Sequence, residues 1–161
     1  MPALTTRPLD RIDRALLRRL QQDGRVPVAQ LAREVHLSVT PCAERVKRLE
    51  EEGYIRGYYA LLDPAKLNQA LLAYIQVQLD RTTPDVFERF KTAMLDLPEV
   101  MECQMVAGGF DYLLKVRVRD MDAYRRLLGD HVATVRGVQQ THSYFVMEEV
   151  KATHSILVSE R

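Results

Sequence analysis

The apolar side chains of the first sixty residues recur at intervals of three and four, which is the spacing of amphipathic helices. A first helix is predicted to end at Gly24 and a second to begin at Pro27, because proline is tolerated in a first turn. The buried face of the first helix is predicted to be Leu9, Ile12, Leu16 and Leu20. That of the second is predicted to be Val28, Leu31, Ala32 and Val35.

A third helix is predicted to follow a tight turn at residues 36–39. Either Ser38 or Thr40 can cap it, with Pro41 in its first turn, and Gly53 ends it. Its predicted buried residues are Cys42, Val46 and Leu49. Two short helices joined by such a turn are typical of a helix-turn-helix.

Short extended pieces follow at residues 54–55 and 58–62 and predict a wing hairpin. The Asp-Pro pair at 63–64 breaks the pattern. We therefore predict a winged helix-turn-helix domain and linker at residues 1–62 and a second domain at residues 63–161.

Beyond residue 63 the apolar period becomes two, as expected for strands with one face on a core. The predicted elements are, in order, a strand at 75–79, a helix starting at 83–85, strands at 101–105 and 114–118 with a turn near 107–111, a helix capped by Asp120, and a strand at 138–150. The predicted fold class is therefore α+β, an N-terminal winged helix-turn-helix followed by a ferredoxin-like βαββαβ domain. The sheet face opposite the two helices is left open, which invites pairing with a second copy.

The third helix carries the candidate DNA contacts, because the second helix of a helix-turn-helix enters the major groove. If its apolar residues face inward, the helical repeat turns Thr40, Pro41, Glu44, Arg45 and Arg48 outward. Hydroxyl groups suit phosphate or base edges, arginines suit guanine, and Lys47 suits backbone phosphate. The predicted DNA-binding set is Ser38, Val39, Thr40, Pro41, Glu44, Arg45, Lys47 and Arg48. The alternative is that the basic residues pair with nearby glutamates on a solvated helix.

Charge supports the same placement. The net charge is +1, but residues 1–62 hold eleven Arg/Lys and eight Asp/Glu, a balance of +3, whereas residues 63–161 hold twelve and fourteen, a balance of −2. With 47% hydrophobic and 28% charged residues the composition is that of a globular protein. No apolar run is long enough for a membrane helix, and charged residues stand where a signal peptide would have its apolar stretch. We expect a cytoplasmic protein.

The two cysteines and four histidines show no metal-ligand spacing, and no nucleophile or nucleotide-binding motif occurs. The sequence therefore predicts no metal, no cofactor and no enzymatic activity.

A second candidate site lies at residues 106–112, where Gly108 and Gly109 free the backbone for unusual dihedrals. Successive N–H groups there suit an anion such as an amino-acid carboxylate, with Asp111 on the ammonium group and Met105, Phe110 and Met121 offering an apolar pocket. The alternative is a plain hairpin turn that Asp111 merely caps.

The chain resembles the Lrp/AsnC family of regulators over nearly its whole length. The resemblance is carried by Leu9-Asp10-Arg11-Ile12-Asp13, the run from Leu37 to Glu50, Gly53-Tyr54-Ile55, the run from Gly109 to Lys115, and the run from Val146 to Lys151. It implies a winged DNA-binding domain, dimers that assemble into octamers or related rings, and an effector, leucine or another amino acid, held between dimers. The effector candidates it implies are Met105, Val106, Ala107, Gly108, Gly109, Phe110, Asp111, Tyr112, Met121, and Thr141 and Ser143 from a neighbouring chain.

Two positions depart from the family pattern. His36 stands where members often have glycine, at a point where a left-handed conformation is expected. Val39 stands where close relatives tend to have proline, which is expected to alter DNA sequence preference.

These features predict a sequence-specific, DNA-binding transcriptional regulator whose assembly and DNA affinity respond to an amino acid. One alternative is an architectural protein that compacts DNA without a ligand. Another is a small metabolic enzyme with merely structural N-terminal helices, which the lack of a catalytic constellation disfavours.

Overall fold

The computed structural model of the chain describes residues 7–159 and divides them into two compact units. The first contains the described residues up to Leu61 together with the segment from Ala152 to Ser159, and the second is Leu62–Lys151. Residues 152–161 were predicted to belong to the second domain. The part of that segment that the structure describes, residues 152–159, belongs to the first unit instead.

Three helices form the first unit: α1 Arg11–Gln22, α2 Val28–Glu34 and α3 Val39–Glu51. Asp10 caps α1 in a reciprocal capping box, in which its carboxylate accepts the Asp13 N–H at 2.8 Å and the Asp13 carboxylate accepts the Asp10 N–H at 3.1 Å. The core of the unit is Leu16, Val26, Leu31, Ala32, Cys42 and Leu49, with Val46 packed against it. Apart from Val26, which lies between the first two helices, these are residues that the helical period placed inward.

The turn between α2 and α3 has the left-handed residue expected there, since His36 has φ of 56°. Leu37 N–H donates to the Ala32 carbonyl at 2.8 Å and closes the turn. Ser38 is the N-cap by position, although its side chain makes no capping hydrogen bond.

The predicted wing strands at 54–55 and 58–62 are not formed within the described chain. Ile55 N–H returns to the Leu49 carbonyl at 3.0 Å and the Tyr58 hydroxyl donates to Glu50 at 2.8 Å, but no neighbouring strand supplies a ladder. Short extended segments need such a partner, because an isolated hairpin is marginal in water.

The elements of the second unit are β1 Leu71–Leu79, α4 Pro84–Leu95, β2 Val100–Met105, β3 Tyr112–Val118, α5 Met121–Arg126 continued by a π-helical segment Leu127–Val132, and β4 Val138–Phe145. The strands form an antiparallel sheet in the order β2-β3-β1-β4, with the helices on one face. The predicted βαββαβ order is confirmed.

The last strand is shorter than the predicted 138–150. The Val146 N–H donates the last hydrogen bond of this strand to the Leu72 carbonyl, at 3.0 Å. Leu72 is the second residue of β1. Residues beyond 146 therefore have no strand alongside them to continue the ladder.

Candidate functional site

The N-terminal half of α3 presents a polar surface to solvent. Val39 is 52% exposed, Ser38, Thr40, Glu44 and Lys47 are exposed, and Pro41 is partly exposed. Lys47 lies 3.5 Å from Glu51, but both side chains are well exposed and such pairs contribute little. The alternative interpretation predicted such a pairing of Lys47 with a nearby glutamate. The pair nevertheless leaves the Lys47 ammonium group accessible to solvent.

Arg45 does not project from α3 as expected. Its Nη1 lies 2.6 Å from Asp10 Oδ2 and 2.8 Å from Asp13 Oδ1, both on the α1 side of the bundle. Arg48 also turns inward, with its Nη2 2.7 Å from Asp13 Oδ2. The predicted outward orientation of Arg45 and Arg48 is therefore corrected. Long side chains at the flank of the apolar stripe can reach back to a buried carboxylate.

Pairing between Asp10 and Arg45 shifts the pKa values of the two groups in opposite directions. Burial raises the pKa of Asp10, but the Asp13 N–H and the Arg45 guanidinium outweigh it and bring that pKa to about 2. The hydrogen bond to Asp10 raises the pKa of Arg45. Both groups therefore stay charged at neutral pH. The carboxylates Asp10 and Asp13 were missed as functional candidates, although their spacing of three at a helix start is a capping-box signal.

The loop between β2 and β3 covers residues 106–111 and is closed by the Val106 N–H bond to the Asp111 carbonyl, at 3.0 Å. The unusual dihedrals expected of Gly108 and Gly109 are not present, since neither has a positive φ. A Cβ at either position would meet nothing within 4 Å. The loop backbone is therefore open, but not strained.

Asp111 is tied to the end of β1. Its carboxylate accepts the Leu79 N–H at 2.7 Å, and its own N–H donates to the Val77 carbonyl at 3.0 Å. The alternative had this carboxylate capping the hairpin turn, whereas in the structure it bonds to β1. Asp111 as a whole is partly exposed.

Among the remaining effector candidates, Met105 lies on β2 at one edge of the sheet, and Thr141 and Ser143 lie on β4 at the other edge. Register pairing places Met105, Tyr112, Val77 and Thr141 in one row across all four strands. Three strand spacings separate Met105 from Thr141, or about 14 Å. Met105 is 51% exposed and Met121 47% exposed, whereas Tyr112 is buried among Phe87 and Phe90. Ser143 accepts a hydrogen bond from the Tyr124 hydroxyl. One chain cannot bring both edges to one small ligand.

Within residues 7–159 no three His, Cys, Asp or Glu side chains gather as metal ligands would. Nor does any helix in that part of the chain have the length and apolarity to cross a membrane.

Comparison with known proteins decides the family. Residues 72–156 match the Lrp/AsnC ligand-binding domain, and residues 9–56 match a winged helix-turn-helix DNA-binding domain. The leucine-responsive regulatory protein of Escherichia coli strain K12 is 52% identical over 153 residues, which cover 95% of this chain and 93% of that protein. The chain belongs to the Lrp/AsnC family. This confirms the predicted fold class and a transcriptional regulator rather than an enzyme.

Solved structures of transcriptional regulators also resemble the chain closely. A transcriptional regulator from Neisseria meningitidis in complex with L-methionine is 38% identical with a TM-score of 0.89, over 93% of this chain and 97% of that one. An AsnC family regulator from Agrobacterium tumefaciens is 37% identical with a TM-score of 0.87, over 92% and 97%. Both domains of the Lrp/AsnC architecture are therefore present in this chain.

Proposed function

We propose that the chain reads DNA with the exposed surface of α3 and that binding of a free amino acid changes its assembly and DNA occupancy. The observation that carries the DNA part is the accessible polar face of α3 inside a matched DNA-binding domain. The proposed contacts are Ser38, Val39, Thr40, Pro41, Glu44 and Lys47. Arg45 and Arg48 leave the predicted set, because their guanidinium groups are engaged by α1.

The effector proposal is supported by the named ligands of two relatives. One relative is called leucine-responsive, and another was solved with L-methionine. An aliphatic or thioether side chain suits the exposed Met105 and Met121, and the open backbone of residues 107–109 suits the carboxylate. Asp111 is the proposed partner of the ammonium group. Val106 and Phe110 are partly exposed on the same hairpin, whereas the buried Tyr112 leaves the predicted contact set.

We further propose that the effector site is completed by a second copy. Thr141 and Ser143 lie across the sheet from Met105, so they can join the site only from another chain. Apolar side chains at the two sheet edges and beyond β4 are exposed, among them Met101, Tyr144, Phe145 and Met147. This supports a homodimer that assembles further, to an octamer or similar ring. We also propose that the chain acts in the cytoplasm, where the DNA of bacteria such as the sources of its relatives is found.

The test titrates the full chain with each standard free amino acid by calorimetry. It then measures molar mass by light scattering and affinity for a duplex selected from a random library, with and without any amino acid that binds. We expect leucine, methionine or a similar apolar amino acid to bind and to change both mass and affinity. DNA binding that no amino acid alters would indicate the architectural protein instead. Absence of DNA binding at low salt would overturn the regulator proposal.

A further inference from the structure

We infer that Arg45 and Arg48 are positioning residues of the recognition helix, held by Asp13 of α1, and that neither contacts DNA. The inference rests on the proposed function only in that α3 is the helix that enters the groove. It replaces the direct-contact role that a solvent-facing arginine on such a helix would have.

The buried end of this arrangement is Asp13. Among residues 7–159 it is the only charged residue that is buried, with 0% exposure. One carboxylate oxygen accepts from Arg45 at 2.8 Å and the other faces Arg48 at 2.7 Å. The capping box fixes the carboxylate itself, because Asp10 and Asp13 bond each other's backbone N–H.

The arginines are correspondingly withdrawn from solvent. All three guanidinium nitrogens of Arg48 are shielded and none of them makes a hydrogen bond, so that the ion pair of Nη2 with Asp13 is the contact that compensates the charge. The Arg45 side chain is 24% exposed and its Nη1 bridges Asp10 and Asp13. A guanidinium group in this state would have to break a short ion pair before it could form a bidentate hydrogen bond with a base.

The spacing explains what the network does for the reading face. Arg45 and Arg48 lie on successive turns of α3, and both bind the carboxylate of Asp13. Two contacts to one fixed group determine both the rotation of the helix and its position along its axis. With about 100° per residue, Thr40, Glu44 and Lys47 fall within about 60° of each other and opposite the buried stripe. The network therefore holds these three side chains outward.

The deciding experiment is Asp13→Asn in the full chain, because the two roles predict opposite signs. If the arginines position α3, loss of the carboxylate loosens the helix, and affinity for the selected duplex falls by about tenfold, while affinity for random DNA changes less than about twofold. If they read DNA, the freed arginines and the extra positive charge raise affinity. An affinity rise overturns the inference.

Asp10→Asn is the milder second variant, should Asp13→Asn unfold. Asparagine still caps a helix, so α1 is retained while one of the two acceptors of Arg45 is lost. A fall of about two- to threefold in specific affinity is expected, and a rise again contradicts positioning.

Salt dependence separates the roles independently. Arg45→Ala is expected to leave the slope of log affinity against log salt unchanged, whereas the matched control Lys47→Ala lowers it by about 0.9 for one lost phosphate contact. A slope loss of that size in Arg45→Ala contradicts the inference. If the wild type binds no duplex, the proposed function fails by itself. Positioning is then still measured by hydrogen exchange of α3 amides, which must accelerate in Asp13→Asn.

Discussion

Gly137, between the π-helical segment and β4, has no room for a side chain. Its φ is +108°, and a Cβ there would lie 2.6 Å from Cγ1 of Val86, which is itself fully buried in α4. The glycine carbonyl also accepts the Asp80 N–H at 2.8 Å, so the backbone cannot easily move away. We therefore expect Gly137→Ala to destabilise the second unit strongly.

Two separate costs set the magnitude. A non-glycine residue at positive φ costs roughly 1–2 kcal/mol, and forcing an extra methyl into a packed core typically costs about 1–3 kcal/mol. Together they give about 3 kcal/mol. For a unit of this size, each kcal/mol shifts the melting temperature by roughly 4–8 °C, so a shift of at least about 12 °C is expected.

Calorimetry of the full chain measures the shift, and hydrogen exchange locates it in the second unit. Gly129→Ala is the matched control, since Gly129 has no neighbour within 4 Å of a Cβ and no positive φ. Val86→Ala tests the cause, because removing Cγ1 relieves the clash but leaves the backbone strain. The double variant should be more stable than the sum of the single effects by at least about 1 kcal/mol. Additive effects, or a single-variant loss below about 1 kcal/mol, would refute the steric reasoning.

Three further outcomes are expected. Asp13→Ala should cost the first unit about 3 kcal/mol in urea denaturation, because it leaves two half-buried arginines without their shared partner; a loss under about 1 kcal/mol would contradict this. Because the pKa of Asp10 is lowered to about 2 in the folded chain, its stabilisation is present above pH about 4 and is lost as the pH falls towards 2. Its side chain is 35% exposed, so the contribution is about 1 kcal/mol, and the stability gap between wild type and Asp10→Asn should close over that pH range but not above it. Gly109→Ala should leave the melting temperature within about 2 °C yet weaken amino-acid binding, if the effector approaches the loop backbone; equal binding would remove the loop from the site.

Local pattern was enough to predict the helices and the four sheet strands, but it also predicted wing strands at 54–55 and 58–62 that are not formed in the described chain. The change of apolar period from 3.6 to two separates three helices from the four strands, because each period puts apolar side chains on one face of its own element. The left-handed conformation of His36 was expected from the family pattern, in which glycine is frequent at this position. Family resemblance rested on the same runs of residues.

Only the tertiary structure decided what the charged residues do. A helical wheel places Arg45 beside the apolar stripe of α3, but it does not contain Asp13, which α1 brings within 2.8 Å from 32 positions away. The end of β4 was likewise decided by where β1 begins. The placement of residues 152–159 was decided by side chains of α1. The side-chain amide of Gln21, for example, accepts a hydrogen bond from the Ile156 N–H at 2.7 Å and donates one to the Ile156 carbonyl at 3.1 Å. Periodicity determines which way a residue points from its own element, whereas a long polar side chain takes its partner from whatever the fold places within reach.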